Sequence, residues 1–198
     1  MKSLGHLMAM QRDEFWGDSF PVEKEIGSFE ASPEKPILVD VGGGYGQQSI
    51  NFKKRLPNVS GRVIVQDVPS TLSQAKPIEG IEFIEHDFFQ PQTIKGAKFY
   101  YLRHVFHDWT DKDCLRILKE IIPVMGPDSR IIIDEVVLPD IGVPWQAAYM
   151  DLTMMYSLGG VERTKTEWEN LLNEAGLKIL QIHKYDPKMQ AVIVAVPK

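Results

Sequence analysis

Apolar and polar positions change rhythm repeatedly along this chain. Short apolar runs fall at 37–41, 62–66, 81–86, 98–103, 130–138, 177–184 and 190–196. Among them lie stretches with apolar side chains at helical spacing, at 47–56, 70–75, 111–125, 146–158 and 166–175. Runs bounded by turn residues read as strands, and the three-to-four spacing reads as helices. In 111–125 the side chains Leu115, Ile117, Leu118, Ile121 and Ile122 share one side, and Gly126–Pro127 closes the helix. Strands alternating with helices predict an α/β fold, a doubly wound, mostly parallel sheet covered on both faces. The connection between the last two runs, around Asp186–Pro187, is too short for a crossover helix. The expectation is a seven-stranded sheet with the last strand antiparallel. Residues 1–30 read as a helix, with Leu4, Leu7, Met8 and 11–15 at helical spacing, followed by a linker, and 31–198 as one domain.

Composition narrows the classes. The 198 residues suffice for one cored domain, 43% are hydrophobic and 25% charged, as in globular chains. A net charge of −5 speaks against a nucleic-acid partner, which needs a basic stripe to neutralise phosphates. No window has the ~18 apolar residues of a membrane span, and the opening segment lacks a continuous apolar core, so the expected location is cytoplasmic, without membrane attachment. The single cysteine, Cys114, reads as a buried helix residue in a reducing compartment.

The chemistry begins at 37-ILVDVGGGYGQQSI-50, where an apolar run meets a dense set of glycines. The dinucleotide fingerprint G-x-G-x-x-G fails: from Gly42 its third glycine falls on Gln47, and from Gly44 on Ser49. A phosphate loop fails for want of a lysine after Gly46. The pattern that fits is D-x-G-x-G-x-G, Asp40, Gly42, Gly44 and Gly46, as in class I S-adenosylmethionine-binding, Rossmann-like folds. Backbone without side chains can lie against a ligand, and Asp40 is placed to pair with its amino group. Asp67, ending the second run, can accept hydrogen bonds from ribose hydroxyls. Asp87 and Phe88, after the third, offer an acceptor and an apolar wall for an adenine.

At 98-KFYYLRHVFHDWTDKDCLRIL-118 the chain resembles the S-adenosylmethionine-dependent small-molecule O-methyltransferases of the caffeate and flavonoid type, in their fungal secondary-metabolism branch. The motifs LVDVGGGYG, QDVP, EHDFF, LRHVFHDW, DEVVLPD, DLTMM and GGVERT come in the family's order, from about Trp16 to the C-terminus. The resemblance implies S-adenosyl-L-methionine as cofactor and His107 as the general base that deprotonates an acceptor hydroxyl. It implies Glu135 and Glu162 as orienting partners of that imidazole. For the cofactor it implies Gly42, Gly43, Gly44, Asp67, Asp87 and Phe88, and adds Arg103 and Trp109. For a small aromatic acceptor it implies the helix bearing Trp145, Met150 and Met154, whose thioethers suit a flat ring; helical spacing alone leaves these open as plain core residues. An unperturbed histidine pKa near 6.5 would leave His107 neutral at cytosolic pH. His104 reads as structural. No metal is expected, because H-x-x-x-H and C-x-x-C spacings are missing.

The family also carries an N-terminal helical dimerisation domain, which this sequence does not contain; the expected state is therefore a monomer, or a chain that pairs with a full-length relative. Beside methyl transfer to a phenolic or enolic hydroxyl stand two other readings: a non-catalytic cofactor-binding partner, and an enzyme that keeps the cofactor for non-methylating chemistry.

Overall fold

A computed structural model describes residues 15–185 and 189–198. Seven strands form one sheet: β1 Leu38–Val41, β2 Val63–Asp67, β3 Glu82–Glu85, β4 Phe99–Arg103, β5 Arg130–Val136, β6 Leu177–Lys184 and β7 Gln190–Pro197. Their spatial order is β3-β2-β1-β4-β5-β7-β6. The first five are mutually parallel, and β7 runs antiparallel to both β5 and β6. The expected reversal of the last strand is what forms, and that strand slots in between β5 and β6.

Around the sheet lie α1 Val22–Ile26, α2 Gln47–Arg55, α3 Pro69–Leu72, α4 Asp111–Ile121, α5 Trp145–Leu158 and α6 Lys165–Glu174. Side chains alternate across each strand, so the sheet builds two cores. On one face Val39, Tyr100, Leu102, Ile131 and Ile133 pack against Ile117 and Leu118 of α4 and Trp168 and Leu172 of α6. On the other, Leu38, Phe99, Tyr101, Ile132 and Val194 pack against Trp16, Phe20 and Phe52. Trp16 is fully buried and stacks at 5.1 Å on Tyr101. The part of the leading segment that is described therefore belongs to this core and includes the short helix α1, where the sequence reads as linker. The helix expected at residues 4–14 lies outside the described residues.

Local chemistry sets the element ends. Thr110 caps α4 by accepting the Asp113 N–H, and Thr164 with Glu167 closes a reciprocal capping box on α6. The expected helix over 111–125 is shorter than its apolar pattern: α4 stops at Ile121 and a tight turn, Ile122–Val124, follows. Pro123 lacks the N–H that another α-helical turn would need. Among the described residues no helix is long and apolar enough to cross a membrane.

The strand order reverses direction between β1 and β4, and in such sheets a ligand crevice opens there, beyond the carboxyl ends of the strands. The glycine loop follows β1, and the His107 turn follows β4.

Candidate active site

The glycine loop is pinned by its own amides. Gly42 and Gly43 N–H both donate to the Gln66 carbonyl, at 2.8 and 3.1 Å, and Gly44 N–H donates to Asp67 Oδ2 at 2.9 Å. The loop thus bends over the end of β2. Gly44 has φ of 59°, a left-handed conformation that glycine adopts without strain. A Cβ added to Gly44 would meet no heavy atom within 4 Å, so this backbone faces open space. At Gly42 a Cβ would come within 3.0 Å of Val105 and 3.5 Å of Phe88, and at Gly43 within 2.5 Å of the Asp40 carboxyl carbon.

Asp40 therefore lies beneath the loop. It is buried, accepts a 2.8 Å hydrogen bond from Ser49, and burial raises its pKa to about 7 against the opposing pull of Ser49. Asp67 is half-buried at the crevice edge, its oxygens accepting the Gly44 and Val68 N–H groups. Each carboxylate oxygen retains a lone pair for a ligand hydroxyl. Asp87 is exposed and accepts the Phe89 N–H at 3.0 Å. Phe88 meets Trp109 edge-on at 6.0 Å, and Phe89 does so at 4.8 Å. Phe89 is thus part of the aromatic wall, although its sequence position next to Phe88 carries no signal of it. Open backbone at Gly44, an acid at each of two strand ends and an aromatic wall together fit a nucleoside-bearing ligand.

Arg103 turns the other way. Its Nη1 lies 3.1 Å from Asp134 Oδ2 and 3.3 Å from the Tyr185 hydroxyl. Asp134 is fully buried and also accepts from Tyr101 at 2.5 Å, Tyr185 at 2.6 Å and Gln190 at 2.9 Å. Strand register sets Arg103 beside Asp134, and a buried carboxylate needs a counter-charge. The guanidinium expected toward the cofactor is also a partner of this cluster, and its charge acts on Asp40 beneath the loop.

His107 sits in a tight turn, Phe106–Asp108, directly after β4. Glu135 on β5 fixes that turn by accepting the Val105 and Phe106 N–H groups on Oε1, at 2.8 and 2.9 Å. Its Oε2 lies 3.7 Å from His107 Nδ1, and Glu162 Oε1 lies 3.2 Å from the same nitrogen. Asp108 Oδ1 is 3.6 Å from Nε2. Glu162 is itself held by its N–H, which donates to Asp151 of α5 at 2.8 Å. The three expected catalytic side chains are therefore together.

Burial pushes the His107 pKa down, but Glu135 and Glu162 outweigh it and carry the pKa to about 9. The ordinary value near 6.5 expected from sequence does not hold, because two carboxylates share the imidazole's dry surroundings. Burial raises Glu135 to about 7, partly offset by His107. The donor atoms of His107, Glu135 and Glu162 lie within 4.8 Å of one another, a spacing a cation could share. A cation needs the imidazole neutral, whereas these carboxylates favour its protonated form. His104 packs its ring 5.2 Å from that of His107, and burial lowers its pKa to about 4. Its φ of 51° is left-handed, and its buried Nε2 has no hydrogen-bond partner.

The helix α5 packs against the His107 turn; of the residues expected to line an acceptor pocket, Met154 is half-buried and Trp145 is 73% exposed. The side chain of Met150 lies outside what is described. Three residues that the sequence analysis assigned no role belong to the site: Ser49 on Asp40, Asp151 on the Glu162 backbone, and Arg163, which bonds the carbonyls of Phe106 and Trp109.

A family model described as an O-methyltransferase domain matches residues 20–178. The chain belongs to this O-methyltransferase family. It is 60% identical over 198 residues to demethylsterigmatocystin 6-O-methyltransferase stcP of Emericella nidulans, covering 100% of this chain and 97% of that protein. It is equally 60% identical to the demethylsterigmatocystin 6-O-methyltransferase of Aspergillus flavus, but spans only 51% of that relative's length. The solved structure of LepI in complex with SAM and a second solved structure described as a pericyclic reaction enzyme each superpose with a TM-score of 0.89 at 41% identity. Each match covers 94% of this chain and 49% of the other. The chain thus spans about half the length of these two relatives.

Proposed function

We propose that the chain is the catalytic part of an S-adenosylmethionine-dependent O-methyltransferase acting on a phenolic or enolic hydroxyl of a small aromatic secondary metabolite. The observation that carries this reading is the buried contact of His107 Nδ1 with Glu162 and Glu135, one strand away from the open glycine loop. Gly44, Asp67, Asp87, Phe88 and Trp109 would hold the cofactor, with Asp40 and Gly43 supporting the loop from below. When bound, S-adenosylmethionine supplies a methyl group on a positively charged sulfur. The chain's own residues handle the proton. Because Nδ1 faces both glutamates, Nδ1–H donates to Glu162 and Nε2 is the basic nitrogen. His107 Nε2 accepts the acceptor's hydroxyl proton as that oxygen becomes nucleophilic, and the two carboxylates balance the imidazolium.

A pKa of about 9 brings the base close to a phenol at about 10, so the transfer is nearly even in energy. The cost is occupancy: at pH 7 about one molecule in a hundred holds the free base. General-base assistance contributes on the order of 10²–10⁴-fold.

A second reading is favoured by the similar solved structure described as a pericyclic reaction enzyme, a reaction in which no methyl group need move. Incubation with methyl-labelled cofactor and a panel of polyhydroxylated aromatic acceptors separates the two. Label should appear in the acceptor, and His107→Ala should reduce transfer by at least about 10²-fold with product-cofactor binding retained. Conversion of an acceptor with no label incorporated would overturn the methyltransferase reading.

A further inference from the structure

Arg163, next to Glu162 in the chain, is 2% exposed. Its Nη1 donates to the Phe106 carbonyl at 2.9 Å and its Nη2 to the Trp109 carbonyl at 2.9 Å. Those two carbonyls bracket the turn that presents His107. The guanidinium also bonds Asp111 at 2.8–2.9 Å, lies 3.5 Å from the Cys114 sulfur and rests 5.3 Å from the Trp168 ring. The adjoining residues reach the same turn. Val161 N–H donates to the His107 carbonyl at 2.9 Å, and a Cβ on Gly160 would lie 2.3 Å from that oxygen.

We propose that Arg163 is a positioning residue for the general base: its planar fork fixes the His107 turn and, through the peptide link to Glu162, sets the distance between imidazole and carboxylate. The proposal rests on the reading of His107 given above. Two features favour positioning over bulk stability. A buried guanidinium costs several kcal/mol of desolvation, which ordinary apolar packing of similar volume avoids. Its carboxylate partner, Asp111, is 70% exposed and offsets little of that cost. What the guanidinium supplies that an apolar side chain cannot is two donors at fixed spacing, matched to two carbonyls.

Three carboxylates face the imidazole and raise its proton affinity, Glu135 from β5, Glu162 from the segment before α6 and Asp108 on its own turn, while the His104 ring packs beside it and Arg163 bonds the backbone of its turn. The test is a nuclear magnetic resonance titration of the His107 ring nitrogens in the full chain, for wild type, Arg163→Lys, Arg163→Met and Asp111→Asn. Cofactor-product affinity and the pH profile of turnover are measured on the same samples. With Arg163→Met, His107 should lose about tenfold or more in proton affinity as Glu162 drifts away. Turnover should fall on the order of 10²-fold, as for a misplacement of about 1 Å, with cofactor-product affinity within about threefold. Arg163→Lys should recover part of both losses, and Asp111→Asn should change the titration least.

An unchanged His107 titration in folded Arg163→Lys and Arg163→Met would overturn the proposal and leave Arg163 a structural residue. If Arg163→Met does not fold, Arg163→Lys decides by the same criterion. The titration needs no turnover, so absence of methyl transfer in the wild type would fell the functional reading without touching this result.

Discussion

The site uses carboxylates in two opposite ways. At the ends of β2 and β3, Asp67 and Asp87 stay at the crevice rim, hold the loop through backbone N–H groups and keep lone pairs available. Across the switch point, Glu135 and Glu162 are buried and spend their charge on one imidazole. On the reading proposed above, the same functional group serves recognition where water reaches it and proton affinity where water does not. Solvent access makes the difference: a carboxylate at the rim keeps lone pairs for hydroxyls or water, whereas a buried one must be matched by a partner inside the protein. A second contrast lies along α5. Its inner edge is tied to Glu162 through Asp151, while Trp145, Tyr149, Leu152 and Tyr156 are exposed.

Breaking the rim should cost binding. Asp67→Ala removes the acceptor that pins Gly44 and any ligand hydroxyls, so affinity for the cofactor product should fall on the order of 10- to 100-fold, from about 1.5–3 kcal/mol per charged hydrogen bond. Turnover at saturating cofactor should change little. Calorimetric titration beside a saturation curve checks both, and a turnover loss with affinity intact would reverse the roles assigned to the two regions. Breaking the dry side should cost stability as well as geometry. Gly160→Ala forces a methyl against the His107 carbonyl, where the nearest atom is backbone and cannot give way easily. Overpacking of this kind costs about 1–3 kcal/mol, a fall of roughly 2–12 °C in melting temperature for a chain of this size. A scanning melt of wild type and variant measures it; an unchanged midpoint would mean the segment carrying Glu162 is not seated on the turn.

Much of this was legible in the sequence because its signals are periodic or ordered. Every strand lies within one or two residues of its apolar run, and the reversed last strand follows from the short connection before it. Pro123 shortened one helix against its apolar pattern, a reminder that side-chain spacing says nothing about a missing N–H. The motifs brought His107, Glu135 and Glu162 together, and the structure assembles them. Side-chain direction was not legible. Asp40 points beneath the loop to Ser49, and Arg103 points to Asp134, because buried polar groups seek partners on neighbouring strands. Arg163 stands within GGVERT, and the motif alone does not show that its guanidinium meets the carbonyls of Phe106 and Trp109. The raised pKa of His107 likewise depends on distances that motif order does not carry.

The most direct test of the central claim, that buried carboxylates make His107 a strong base for methyl transfer, is the pH dependence of turnover at saturating cofactor and acceptor. The sign follows from the folded-state pKa: the free base is scarce below about 9 and its population grows as pH rises. Turnover should climb nearly tenfold per pH unit from 6 to about 8.5 and level above 9. In Glu162→Gln, which removes one of the charges favouring the imidazolium, the rise should move to lower pH. A wild-type profile already flat above 6.5, or a rise that stays put in Glu162→Gln, would contradict the account.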